Sequence, residues 1–117
     1  MSQIINPNDK VVINIAGMRF ETWYMTLNRF PNTLLGDPMK RQYYFDYIQN
    51  EYYFERHRES FESILYFYQS NGRFLLRPDS VRSEVFFDEI VFFELGKEAI
   101  NKYKKMEGYL IEGFILI

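Results

Sequence analysis

The chain has 117 residues, 47% hydrophobic and 26% charged, with a net charge of −2 and a pI near 5.4. That is one globular domain's worth of sequence, with no basic field to recruit nucleic acid. Cysteine is absent, which excludes disulfides and thiolate metal sites, and no apolar run approaches the roughly 20 residues needed to span a bilayer.

Residues 1–10 read as a flexible polar lead containing Asn6, Pro7, Asn8 and Asp9. It has no basic segment running into a long apolar one, so it does not read as a secretory signal. "VVINIAGMRFET" then predicts a hairpin: Val11, Ile13 and Ile15 alternate on one face, Ala16-Gly17 permits the turn, and Phe20 and Thr22 continue the return strand. Asn14 and Thr22 point to where a polar surface would lie. In "TLNRFPNTLLGDP", Pro31 early and Gly36 late predict a short helix from Pro31 to Leu35.

"RQYYFDYIQNEYYFER" is a second hairpin, with Tyr43, Tyr44 and Phe45 facing Tyr52, Tyr53 and Phe54 across a turn near Gln49-Asn50. Phe61, Ile64, Leu65 and Tyr68 mark one face of an amphipathic helix ending near Asn71-Gly72. Pro78, Asp79 and Ser80 open a helical region whose apolar residues, through "EVFFDEIVFFEL", nearly circle the axis and imply deep burial. Gly96 breaks it, and a last helix stripes Ala99, Ile100, Tyr103 and Met106 before Gly108. Early strands and later helices make this a small α/β domain. Its 12 Phe, 10 Tyr and Trp23 are more ring surface than so small a domain easily encloses. The rings either fill a tyrosine-rich core or lie at a subunit contact.

Chemistry is sparse. His57 is the only histidine, and with no cysteine a zinc site lacks the three or four ligands it needs. No nucleophile motif frames Ser60 beside it, and no glycine-rich phosphate loop exists. Asp88-Glu89 reads as the wet face of a helix, and the lysines of "NKYKKMEG", balanced by Glu98 and Glu107, as another. The stretch "ERHRE", Glu55 to Glu59, lies between the second hairpin and the first long helix. Arginine pairs with carboxylates in a planar, bidentate way, so this mixed patch suits matching to a copy of itself. On its residues alone it fits better a set of surface ion pairs worth about 0–1 kcal/mol each.

"VVINIAGMRFET", "FPNTLLGDP", "YYFDYIQNEYYFERHRESFESILYFYQSNGR" and "FFELGKEA" follow one another in an order and spacing that resembles the cytoplasmic tetramerisation domain of Shaker-type voltage-gated potassium channels. The resemblance implies a BTB/POZ-like fold over residues 11–111. Residues 112–117 are then the start of a linker towards the membrane or unrelated sequence. It implies a homotetramer, or a heterotetramer with related subunits, on the cytoplasmic side of the plasma membrane, the domain itself being soluble and not inserted in the bilayer. The polar interface it implies involves Asn14, Thr22, Asp46, Asn50, Glu55, Arg56 and Arg58. Thr22 and Glu55 match family positions on opposing surfaces. A docking surface for cytoplasmic β subunits is implied at Phe92, Phe93, Glu94, Lys97 and Glu98.

The non-Shaker subfamilies share an interfacial zinc site of one histidine and three cysteines, so the cysteine-free chain implies the Shaker-type class, no zinc and no cofactor. There are departures. Glu55 stands where the family usually has Asp, His57 and Glu59 replace Asn and Pro, "GRFLLRPDS" is more apolar, Phe93 replaces Tyr, and Lys97 an acid. Two other readings compete: a BTB-type adaptor recruiting a cullin ubiquitin ligase scaffold, and an enzyme built on His57.

Overall fold

The first hairpin follows from its turn. In the computed structural model, which describes residues 6–108, β1 (Lys10–Ile15) reverses at Ala16-Gly17 into β2 (Met18–Trp23). Both turn residues have positive φ, 49° and 105°, the geometry whose twist matches that of the flanking strands. The tight turn fixes the register, with Ile13 opposite Phe20, Asn14 opposite Arg19 and Val11 opposite Thr22. Opposed residues share a face, so Val11, Ile13, Ile15, Phe20 and Thr22 face the core while Asn14, Arg19 and Glu21 lie outside. Asn14 and Thr22, both expected at a polar surface, are therefore on opposite faces. Both are buried.

Next come α1 (Tyr24–Leu27), α2 (Pro38–Gln42), β3 (Phe45–Asp46) and β4 (Glu51–Phe54). The sheet order is β2-β1-β4-β3, with β4 parallel to β1 and the other pairs antiparallel. The second hairpin is present but short, pairing Phe45 with Tyr52 and Asp46 with Glu51. Asn50 adopts φ 59° at its turn, and Asp46 Oδ1 accepts from the Ile48 and Gln49 amides at 2.9 and 3.1 Å.

The helix expected from Pro31 to Leu35 is not there; those residues form turns. A helical ladder gives way to the Thr33 hydroxyl, which donates to the Phe30 carbonyl at 2.8 Å and accepts from the Gly36 amide and the Tyr68 hydroxyl. Gly36 presses on the Phe30 backbone so closely that a Cβ would lie 1.8 Å from its carbonyl oxygen. Helix starts one step later, at Pro38, where Asp37 Oδ1 accepts from the Met39 amide and proline suits the first helical position.

Three longer helices, α3 (Arg58–Gln69), α4 (Ser83–Phe92) and α5 (Lys97–Met106), complete the fold. The α3 stripe is buried as its spacing predicts: Phe61, Ile64, Leu65 and Tyr68 all reach the core, each such side chain contributing about 1.5–3 kcal/mol. Helix α4 opens at Ser83 rather than Pro78, because Val81 N–H first closes a turn on the Pro78 carbonyl. Nor is it buried all round: Phe86 and Ile90 are enclosed while Val91 is 49% exposed. The rings divide between the core and the surface. Phe54 and Phe61 each meet Phe93 at 5.3 Å in the core, whereas Tyr43 and Tyr47 stand exposed. The expected domain end at Ile111 and the tail 112–117 lie outside the described residues, as do residues 1–5.

Candidate subunit interface

The register that sends isoleucines inward places Asn14, Arg19, Glu51 and Tyr53 together on the outer face of the sheet. Glu51 is its centre. The Arg19 guanidinium donates to Glu51 Oε1 from Nε at 2.7 Å and to Oε2 at 3.3 Å, and Asn14 Nδ2 donates to Oε2 at 2.7 Å. Asn14 Oδ1 in turn accepts from Gly17 N–H at 2.7 Å, tying the hairpin turn into the network. The Arg19 hydrogen bonds hold the Glu51 carboxyl below its ordinary range, against burial, which pushes it up. Arg19, Glu21, Trp23 and Tyr53 leave this face open to solvent.

The "ERHRE" stretch runs from the end of β4 into the first turn of α3. Its five residues, with Ala16 and Met18, line an open concavity of about 420 Å³. Glu55 is exposed and accepts from the Tyr53 hydroxyl at 2.5 Å. Arg58, also exposed, donates from Nε and Nη2 to the Ala16 carbonyl, which clips α3 to the hairpin turn. Arg56 turns the other way. It donates to both Glu89 oxygens, at 3.2 and 2.6 Å, and lies 4.0 Å over the Phe92 ring. Glu89, expected on a wet helix face, is buried beneath it. His57 Nδ1 and Ser60 Oγ are 2.8 Å apart, but Ser60 is fully buried, so the pair anchors the loop rather than presenting a nucleophile. Among the described residues no cluster of His, Asp or Glu could hold a metal ion.

The remaining expected residues are spread. Asp46 and Asn50 build the second hairpin turn, and Asn50 is exposed. Thr22 lies on the core face of β2, an edge strand. At the junction of α4 and α5, Phe93 is wholly buried and Phe92 half-buried, while Glu94, Lys97 and Glu98 are exposed. Glu94 pairs with Lys40. Sequence reasoning did not single out Arg19, Glu51 or Tyr53 as site residues, and it misread Glu89. The Asn14–Arg19 pairing was within reach, since a two-residue turn at Ala16-Gly17 sets it. The approach of β4 to β1 across 37 positions carried no such signal.

A model of the BTB/POZ domain matches residues 11–103. The potassium voltage-gated channel subfamily A member 10 of Gallus gallus is 55% identical over 103 residues, 88% of this chain and 20% of that protein. Subfamily A member 2 of Oncorhynchus mykiss is 57% identical over 104 residues, 89% of this chain and 21% of that protein. Subfamily A member 5 of Rattus norvegicus is 55% identical over 105 residues, covering 90% and 17%. The chain thus spans about a fifth of the length of these relatives. No helix among the described residues is long and apolar enough to cross a membrane. The mixed sheet followed by packed helices, the family match over 11–103 and the likeness to Shaker-related channels agree: this chain belongs to the BTB/POZ domain family, in its potassium-channel tetramerisation branch.

Proposed function

We propose that the domain joins copies of itself, or closely related subunits, into a four-fold ring on the cytoplasmic side of a voltage-gated potassium channel. Ring formation decides which subunits share a channel; the role is assembly, not catalysis. One observation chiefly supports this reading: the outer sheet face is polar and open to solvent yet internally ordered, with Glu51 holding Asn14 and Arg19 in fixed geometry. A four-fold ring closes through heterologous contacts, one face of each subunit matching a different face of the next. Ordered polar groups suit that task, because a wrong partner leaves them desolvated and unpaired.

In this reading Asn14, Asp46, Asn50, Glu55 and Arg58 line the contact, Thr22 supports it from the core side of the β2 edge strand, and Arg56 contributes by bracing their loop. A cytoplasmic β subunit docks at the α4–α5 junction through Phe92, Glu94, Lys97 and Glu98, with Phe93 packing beneath them. Charge reversal in Lys97→Glu then changes the affinity for a purified channel β subunit without changing assembly.

Light scattering on a sizing column, at several concentrations, tests the ring. A mass near four chains is expected. Glu55→Ala or Arg58→Ala should weaken assembly by about 2–5 kcal/mol per truncated pair where the charges are desolvated. A clean monomer overturns the reading, and a stable dimer transfers it to the adaptor type.

A further inference from the structure

Most charged groups of the outer face and its adjoining loop are already engaged within the chain, by an opposite charge or by a backbone carbonyl. Glu51 has Arg19, and Glu89 has Arg56. Arg58 is engaged by the Ala16 carbonyl. Glu55 is different. Among the described residues it has no cation partner; its hydrogen bond is the one from the Tyr53 hydroxyl, at 2.5 Å. Tyr53 pairs with Asn14 across the parallel strands, so it shares a face with the network that orders this surface, and it remains 39% exposed.

A free glutamate on a surface samples many rotamers, and ordering it on contact costs free energy. The Tyr53 hydroxyl removes much of that freedom in advance. It occupies Oε1 and leaves Oε2 without a hydrogen-bond partner among the described residues. We infer that Tyr53 is a specificity-determining positioning residue, which presents the Glu55 carboxylate as a fixed acceptor for a hydroxyl, amide or guanidinium donor on the neighbouring copy of this chain. The inference rests on the assembly reading and deepens it. A rigid acceptor also discriminates. A partner whose donor is displaced by the length of one methylene meets a carboxylate that cannot follow it without breaking the tyrosine bond. The Tyr53 phenol is itself held above its ordinary range, first by the bond to Glu55 and then by burial, as a phenol donating to a carboxylate should be.

The test is a double-mutant cycle on the full chain, with Tyr53→Phe, Glu55→Gln and the pair, read as the concentration at which the assembled species dissociates. Tyr53→Phe deletes one oxygen and keeps the ring. It should raise that concentration about two- to tenfold, with an unchanged circular dichroism spectrum. In the Glu55→Gln background the same change should do little, because the carboxylate it positions is gone. Equal losses in both backgrounds, or no loss in either, overturn the inference. An independent readout is the alkaline titration of Tyr53 followed by ¹³C NMR of labelled tyrosine rings. Glu55→Gln should lower it towards the ordinary phenol value; no change means the contact is not made in solution. Should the unmutated chain run as a monomer, the assembly reading itself falls, and with it this inference. Should it assemble while Tyr53→Phe is silent, only the positioning role is lost.

Discussion

Glu51 on the sheet and Glu89 on α4 are the two acidic side chains buried among the described residues, at 5% and 6% exposure, and each is gripped by an arginine. The arginines differ. Arg19 keeps 54% of its side chain in water, whereas Arg56 keeps 29% and stacks 4.0 Å over Phe92. The first clamp is open on one side; the second is closed. One ion-pair chemistry therefore does two jobs. Around Glu51 it orders a surface and leaves donor groups facing outward. Around Glu89 it pins the "ERHRE" loop to the helical layer and is consumed within the chain. Arg56 looks like a recognition residue in the sequence, yet its guanidinium is already engaged. Arg19 looks like an ordinary strand residue and stands on the face proposed to meet a neighbour.

The closed clamp is the more expensive to break. Arg56→Ala leaves Glu89 buried without its counter-charge, and such truncations cost about 3 kcal/mol or more. Urea denaturation at fixed protein concentration should show that loss. A cost below about 1 kcal/mol, the surface-pair range, would make the two clamps alike and dissolve the contrast. Glu51→Gln comes next. It keeps the shape and an acceptor for Asn14 or Arg19 but removes the charge, for a loss on the order of 1 kcal/mol at neutral pH.

Acid sharpens the same point. The Glu51 carboxyl is depressed in the folded chain below the value of 4.5 expected of a free side chain. Between those two values the unfolded chain binds the extra proton. The stability it contributes is thus complete above 4.5 and is lost as pH falls through the lower, folded value. Melting temperature followed from pH 6 to pH 3 should fall less steeply in Glu51→Gln than in the unmutated chain. Parallel profiles would show that the Arg19 clamp does not hold in solution.

Much of this contrast was hidden in the sequence for a physical reason. Alternation in "VVINI" and the turn at Ala16-Gly17 are local, and they yield the first hairpin with its register. The helical spacing of Phe61, Ile64, Leu65 and Tyr68 yields the face of α3 that is buried. Composition could not choose between a ring-filled core and rings at a subunit contact; the structure buries Phe54, Phe61 and Phe93 and leaves Tyr43 and Tyr47 exposed. The losses are non-local. Glu51 comes beside Asn14 only because β4 enters the sheet parallel to β1, and Glu89 finds Arg56 only once α4 packs on α3. Period alone then misreads Glu89, since a carboxylate next to Asp88 looks wet until a cation arrives from elsewhere. The turn at Pro31–Leu35 was misread for the opposite reason: the proline and glycine signals are those of a helix, but Thr33 satisfies the backbone with its own hydroxyl.

The smallest expected effect is the most discriminating. Arg19→Lys keeps the positive charge and loses the planar fork that reaches both Glu51 oxygens. Because Arg19 is largely in water, folding stability should move no further than the scatter between replicate denaturation curves, and added salt should erase what remains. Its effect on assembly should be larger than its effect on folding, since a neighbour that covers this face removes the water that makes lysine and arginine nearly equivalent. The two are separated by measuring denaturation and sizing mass on the same samples at two concentrations. Arg56→Lys should do the reverse: a loss in folding stability, from a fork that bridges Glu89 and stacks on Phe92, and a change in assembly no greater than that loss accounts for. If both lysine variants move the two observables in step, then Arg19 and Arg56 serve one role, and the open clamp is not a contact surface.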